Sequence, residues 1–221
     1  MKVITIATQK RGAGKTTLAT NLATKSFMDN KKTLIIDTDE QQTAYKWFIS
    51  RGKDSNPKVI SIDTKEKLHS LIGGLKEKGY ERVYIDTQGA KSNMGNSTIE
   101  LADFILIPCK ASGFDAKSQR ETSETVHRFG KQAAFVITQA PSRGKDVEVT
   151  KDILSGLGIN TFNQQITLLK AFKDSALYSS TVIEDELKSK ASKEIIDLHN
   201  WLDKHMKNNL ELEELEVLAN A

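Results

Sequence analysis

At 221 residues the chain has the length of one domain with a sizeable core, and 38% hydrophobic against 28% charged residues describe a soluble globular protein. No apolar run approaches a membrane span, the first residues read as a strand rather than a signal peptide, and the single Cys109 excludes an internal disulfide framework or a cysteine-rich metal site, so a cytoplasmic protein is expected. The formal charge of +3 is uneven: Glu211, Glu213, Glu214 and Glu216 follow Asn208 with no Lys or Arg, so residues 1–208 carry +7 once those 4 negative charges are set aside. A basic body, 1–208, with an acidic tail, 209–221, is compatible with a polyanionic partner.

Val3, Ile4 and Ile6 make a short strand over 3–6, and Leu18, Leu22, Ala23 and Phe27 fall at helical spacing between 17 and 29. Between them stands Gln9-Lys10-Arg11-Gly12-Ala13-Gly14-Lys15-Thr16-Thr17. Strand, tight turn and helix N-terminus in that order aim backbone N–H groups and the positive end of a helix dipole at one point, which reads as a phosphate-binding loop. Lys15 is expected on the β- and γ-phosphates and Thr16 on Mg²⁺, with Arg11, Gly12, Ala13, Gly14 and Thr17 around them. Where the usual pattern opens on glycine this chain has Gln9, and a second lysine, Lys10, stands inside the loop.

Further along, 33–36 is a continuous apolar strand running into Asp37-Thr38-Asp39-Glu40-Gln41. A helix is predicted through Ala44, Trp47 and Phe48 to Arg51, a loop over 52–57, and a strand over 59–62. Asp63 or Thr64 caps a helix carrying Leu68, Leu71, Ile72 and Leu75, which Gly79 closes. Residues 83–86 are again strand, followed by a loop over 87–96. Strands at 104–108 and 134–137 flank a helix around 116–129. Helix is expected over 147–157 and 170–178, a short strand or loop over 159–166, and a long terminal helix over 184–206 that Leu210, Leu212, Leu215 and Leu218 extend as a weak amphipathic tail. Alternating strands and helices predict an α/β fold with a doubly wound, mostly parallel twisted sheet and helices on both faces, its ligand beyond the carboxyl ends of the strands. Asp37, Asp39 and Asp86 stand at such ends: Asp86 as the Walker B carboxylate for Mg²⁺, Asp37 and Asp39 pointing the same way by alternation.

The loop Lys-x-Gly-x-Gly-Lys-Thr-Thr resembles the deviant Walker A box of the ParA/MinD family of P-loop ATPases, Lys-Gly-Gly-x-Gly-Lys-Thr, with Arg11 replacing a glycine. Asp37-Thr38-Asp39-Glu40-Gln41 resembles that family's switch I, Asp-x-Asp-Pro-Gln, and Asp86-Thr87-Gln88-Gly89-Ala90 its switch II, with Glu40 and Gln88 in place of prolines. The strand ending at Pro108 and the segment Ser112-Gly113-Phe114-Asp115 follow in family order, and the likeness covers nearly residues 1–200.

The resemblance implies an ATPase using ATP and Mg²⁺, slow without a partner. Lys10 would reach across a homodimer to the other subunit's phosphates, Asp39 would orient the attacking water, and Asp37 would support the magnesium shell. Gly89 would approach the γ-phosphate, while Thr138, where the family often has asparagine, and Pro141 would frame the base. Short members bind DNA without sequence preference through basic residues on the C-terminal side, here Arg143, Lys145, Lys170, Lys173, Lys188, Lys190 and Lys193. The chain starts directly with the strand before the loop, leaving no room for the N-terminal helix-turn-helix of longer members. The expected function is partition or positioning of plasmid or chromosomal DNA, in the cytoplasm and on the nucleoid in the ATP state, with a ParB-like partner stimulating hydrolysis and no membrane anchor. The alternatives are another cargo, assistance in DNA transfer, or a small-molecule ligase or kinase of the dethiobiotin-synthetase kind.

Overall fold

Five central segments with near-unbroken apolar sequence have only one way to satisfy their backbone and bury both faces, which is a parallel sheet covered by helices. The structure, a computed structural model, describes residues 1–88 and 93–219, with 207–219 described by backbone alone. Its sheet holds β1 (Lys2–Ile6), β2 (Thr33–Asp37), β3 (Lys58–Ser61), β4 (Arg82–Asp86), β5 (Phe104–Lys110), β6 (Ala133–Ala140) and β7 (Asn160–Thr167). The order is β3-β2-β4-β1-β5-β6-β7, and every pairing is parallel. Asp86 is in register with Ile6 on one side and Asp37 on the other, so the phosphate loop after β1 and both acidic strand ends meet at one edge.

Alternation splits the strand residues between two helical layers. Ile4, Ile35, Tyr84, Leu106 and Val136 face a cluster with Leu18 and Leu22 of α1 (Lys15–Met28), Phe48 of α2 (Thr43–Arg51), Val182 of α9 (Val182–Asp185), and Ile195, Leu198 and Leu202 of α10 (Lys190–Ala219). On the other face Val3, Leu34, Val83 and Ile85 pack on Leu68, Ile72 and Leu75 of α3 (Lys65–Leu75). Ile105, Ile107, Phe135 and Ile137 pack there on Ile99 of α4 (Asn93–Glu100), Ala116 of α5 (Gly113–Lys117), Val126 of α6 (Arg120–Arg128) and Leu154 of α7 (Asp146–Ser155). Each such fully buried Ile or Leu contributes about 1.5–3 kcal/mol relative to an exposed one. The last helix of the set, α8 (Lys170–Leu177), follows β7 directly.

The structure departs from expectation in three places and decides two alternatives that the sequence leaves open. Helix α4 occupies the end of the expected loop 87–96. The expected helix 116–129 is broken at Ser118–Gln119, which turns buried Gln119 against Thr8, its Oε1 accepting the Thr8 hydroxyl at 3.0 Å. Thr64 rather than Asp63 caps α3, its Oγ1 accepting the Lys67 N–H at 3.3 Å. Segment 159–166 is a full strand, β7. The terminal helix begins at Lys190, not 184: a capping box of Thr181 and Glu184 starts the separate short α9, Glu186 leaves the helical region at φ -154°, and Ser189 Oγ then accepts the Ser192 N–H at 3.1 Å. The expected division at 208 lies within α10, whose backbone runs on to Ala219.

α10 is fastened to the sheet by buried polar groups as well as by apolar contact. Ser26 Oγ bridges Tyr84 OH and His199 Nε2, each at 2.9 Å, and Asp203 receives both Lys31 and Arg82. Burial pushes the His199 imidazole down to about 4; Lys31 and Lys25 add to that shift, and Asp203 and Asp29 oppose it. The folded state therefore holds neutral His199, whereas an unfolded chain protonates its histidines near pH 6.5. Stability is full above that pH and falls as pH drops towards 4, by about 3 kcal/mol from this group. Urea unfolding measured at steps across this window is expected to show the loss, and His199→Gln to flatten it.

Candidate nucleotide site

The loop between β1 and α1 turns on two glycines in the left-handed region, Gly12 at φ 70° and Gly14 at φ 90°. A Cβ at either would strain the backbone. Gly14 is the N-cap of α1, which has neither a side-chain cap nor an acidic residue in its first turn. The N–H groups of Lys15, Thr16 and Thr17 are thus left to an anion in front of the helix. The loop's shape is held from β6: Thr138 Oγ1 donates to the Ala13 carbonyl at 2.8 Å and Gln139 Nε2 to the Gly12 carbonyl at 2.5 Å.

Lys15 is buried, and among the described residues its Nζ hydrogen-bonds the Lys10 carbonyl alone, at 3.4 Å. Burial pushes its ammonium below the ordinary lysine value, while the charges of Asp86 and Asp39 hold it up. Thr16 Oγ1 donates to Asp86 Oδ2 at 2.6 Å, whereas Asp86 Oδ1 is buried and has no hydrogen-bond partner among the described residues. Burial pushes the Asp86 carboxyl up to about 7, the Thr16 hydrogen bond opposing and the neighbouring Asp37 charge adding to the shift. A buried carboxylate oxygen without a donor, next to a threonine hydroxyl and a lysine, fits a magnesium ion carrying water and phosphate oxygens. Among the described residues no group of three or more His, Cys, Asp or Glu is gathered so as to hold a metal ion by itself.

Asp37 has both oxygens occupied: Oδ1 accepts the Asp39 N–H and Oδ2 the Tyr45 N–H, both at 3.0 Å. Burial raises its carboxyl, and those two backbone donors pull the other way. It therefore acts on the segment after β2 and on the start of α2. Asp39 is half-exposed, and its Oδ1 accepts the Gln41 N–H at 2.9 Å. With Arg11, Lys15, Thr16, Thr17 and Gln88 it lines a polar cavity of about 300 Å³. Gly89 lies outside the described residues. Lys10 projects into solvent beside the loop.

A second cavity of about 290 Å³ adjoins the first through Gly14, Thr17 and Gln139, and its walls are mainly apolar: Leu18, Ile166, Leu168, Leu169, Phe172 and Ala176, with Thr138, Thr167 and Lys173. A polar cavity over a phosphate loop joined to an apolar one of this size suits a nucleotide with its base in the second. Sequence reasoning found Thr138 here but missed Gln139 and the whole β7–α8 wall. Pro141 lies outside both linings. It also missed Lys110 at the end of β5, whose Nζ stands 3.6 Å from where a Cβ on Gly12 would be, bringing a further cation to the loop.

The basic residues expected on the C-terminal side are all exposed but differently engaged. Lys170 pairs with Asp174 at 2.8 Å and Lys190 with Glu194 at 3.8 Å, while Lys173 opens onto the apolar cavity. Lys188 and Lys193 flank the start of α10, and Arg143 and Lys145 precede α7.

The sequence model of the VirC1 protein family matches residues 1–178. The chain belongs to the VirC1 family. This VirC1-family chain is 28% identical over 119 residues to protein virC1 of Rhizobium radiobacter, an alignment covering 52% of each, so it spans about half the length of that relative. It is 28% identical over 191 residues to the maintenance of carboxysome distribution protein A of Gloeobacter kilaueensis, covering 83% of this chain and 84% of that one. The fold is shared with a variant of Cyanothece McdA in complex with ATP, at a TM-score of 0.75 and 20% identity over 92% of this chain and 96% of the other. The VirC1-family chain is thus of the ParA/MinD type, as its loop and switch motifs predict, and its all-parallel sheet is that of the P-loop fold. Among the described residues no helix is long and apolar enough to cross a membrane.

Proposed function

We propose that the protein is an ATP-dependent switch that dimerises with ATP, holds DNA without sequence preference, and releases it when a partner stimulates hydrolysis. The observation that carries this reading is the buried, donor-free Asp86 Oδ1 beside Thr16 and Lys15 at the uncapped start of α1. Lys15 and the N–H groups of Gly12 to Thr17 bind the triphosphate, and Thr16 and Asp86 would hold a Mg²⁺ ion, which would supply neutralisation of the phosphate charge. Asp37 keeps the switch segment in place through its two backbone hydrogen bonds, and Asp39, which lines the polar cavity, orients water. The base occupies the apolar cavity between Thr138 and Phe172.

The exposed Lys10 is the residue that makes a dimer, by reaching the phosphates of a second copy, and intrinsic turnover is slow until a ParB-like partner completes the site. Arg143, Lys145, Lys170, Lys173, Lys188, Lys190 and Lys193 contact DNA phosphates, so binding weakens steeply with salt. The protein works in the cytoplasm and on the nucleoid. A second reading, a cargo other than DNA, is favoured by the carboxysome-distribution relative, whose alignment covers most of both chains.

ATP turnover and sedimentation, with and without generic double-stranded DNA, test the first reading. Wild type is expected to sediment as a dimer and to bind DNA only with ATP, and Lys10→Ala to stay monomeric while keeping nucleotide affinity within about threefold. Turnover by a monomer that ignores DNA and does not need Lys10 would reject it in favour of a small-molecule substrate.

A further inference from the structure

The wall of the apolar cavity is not held by its own strand alone. Thr167 ends β7 and lines the cavity between Ile166 and Leu168. Its backbone N–H donates to Glu194 Oε2 at 2.7 Å and its hydroxyl to Glu194 Oε1 at 2.6 Å. Glu194 belongs to α10, 27 residues further along the chain, and is buried. A buried carboxylate is costly unless satisfied, and here two donors on one residue satisfy it, with Lys190 at 3.8 Å on its outer side. The next backbone link is also spoken for, since the Leu168 N–H donates to the Ala140 carbonyl at 2.9 Å. Residues 167–168 are thus pinned between β6 and α10, while the phosphate loop is pinned separately by Thr138 and Gln139.

We propose that Glu194 is a positioning residue for the base half of the nucleotide site. It fixes Thr167, and so the wall from Ile166 to Leu169, leaving the phosphate half to the loop. The inference rests on the nucleotide reading given above, and its test separates the two. Binding of Mg²⁺-ATP, Mg²⁺-ADP and inorganic pyrophosphate is measured by calorimetry on wild type, Glu194→Ala, Glu194→Gln and Thr167→Val.

Glu194→Ala is expected to weaken ATP and ADP about tenfold and leave pyrophosphate unchanged. Glu194→Gln, which keeps one acceptor for Thr167, recovers part of the loss. Thr167→Val removes only the hydroxyl donor and gives a smaller loss of the same kind, which keeps the test available should Glu194→Ala fold poorly. Equal weakening of pyrophosphate and nucleotide, or no change in nucleotide affinity, would overturn the role. A wild type that binds pyrophosphate but no nucleotide would instead sink the nucleotide reading, and this inference with it.

Discussion

Lys15→Ala is expected to abolish ATP turnover, lowering it by at least about a thousandfold, while leaving the nucleotide-free protein as stable as wild type or slightly more so. The two halves of this expectation have one cause. Lys15 carries its charge into a buried position where burial already pushes the ammonium down, and its one hydrogen bond among the described residues is a long one of 3.4 Å to the Lys10 carbonyl. Asp86 and Asp39 compensate in part, through space rather than by contact. Holding a poorly partnered charge away from water costs free energy in the empty protein, and truncation removes that cost. A phosphate chain in front of α1 is the partner the ammonium lacks, so truncation also removes the main charge-assisted bonds to the ligand. Thermal unfolding with and without Mg²⁺-ATP reads both: the nucleotide-free midpoint holds or rises, and the upward shift caused by ATP disappears. A variant that still gains stability from ATP as wild type does would show that the phosphates bind elsewhere.

What the sequence makes legible follows from how local the physics is. β1, β2, β4, β5 and β6 are apolar runs bounded by turn residues, and their burial on both sheet faces leaves nothing for tertiary context to reverse. The phosphate loop is legible for a related reason, since its glycines, lysine and threonine act through backbone geometry set within a few residues. α4 was invisible because its buried face is Gly95, Ser97, Thr98 and Ile99, small and polar rather than apolar, with the Thr98 carbonyl accepting the Thr5 hydroxyl at 2.7 Å. β7 was ambiguous because it is an edge strand with exposed Asn163 and Gln164, lacking the continuous apolar run of its neighbours.

The residues missed around the site share one property. Gln139, Lys110, Phe172 and Glu194 reach the phosphate loop or the apolar wall only through the order of strands in the sheet and the path of α10, which no local pattern encodes. The start of α10 lies later than expected for the opposite reason: Glu184 continues a helical pattern in sequence, but its carboxylate turns back to the Thr181 N–H and to Arg51 and so belongs to the first turn of a separate helix, α9, which ends where Glu186 takes non-helical backbone angles, φ -154° and ψ 89°. Arg51 also donates to the Ser179 carbonyl at 2.9 Å and lies over the Trp47 ring, while Trp47 Nε1 donates to the Ser180 carbonyl. The helix after Asp39 is thereby tied to the segment leading out of α8.

Asp39→Ala is expected to keep ATP affinity within about threefold of wild type and to lower single-turnover hydrolysis by about a hundred- to ten-thousandfold, leaving the ATP state to accumulate. Two roles compete for this carboxylate. One is structural: Oδ1 accepts the Gln41 N–H at 2.9 Å, a turn before α2 worth about 1 kcal/mol. The other is chemical: the side chain lines the polar cavity with Lys15, Thr16 and Gln88, where a water in line with the terminal phosphate would stand. Asp37 is placed differently: it is fully buried, is absent from the cavity lining, and each of its oxygens accepts a backbone N–H of the segment itself. Asp39→Asn separates the two, since the amide oxygen can still accept the Gln41 N–H but the group carries no charge to orient or polarise water. If the turn were the whole story, Asn would restore wild-type hydrolysis and Ala would show its deficit in unfolding midpoint. If the carboxylate acts on water, Asn hydrolyses as slowly as Ala while melting like wild type, and only a rapid-quench measurement of the bound ATP reveals the difference.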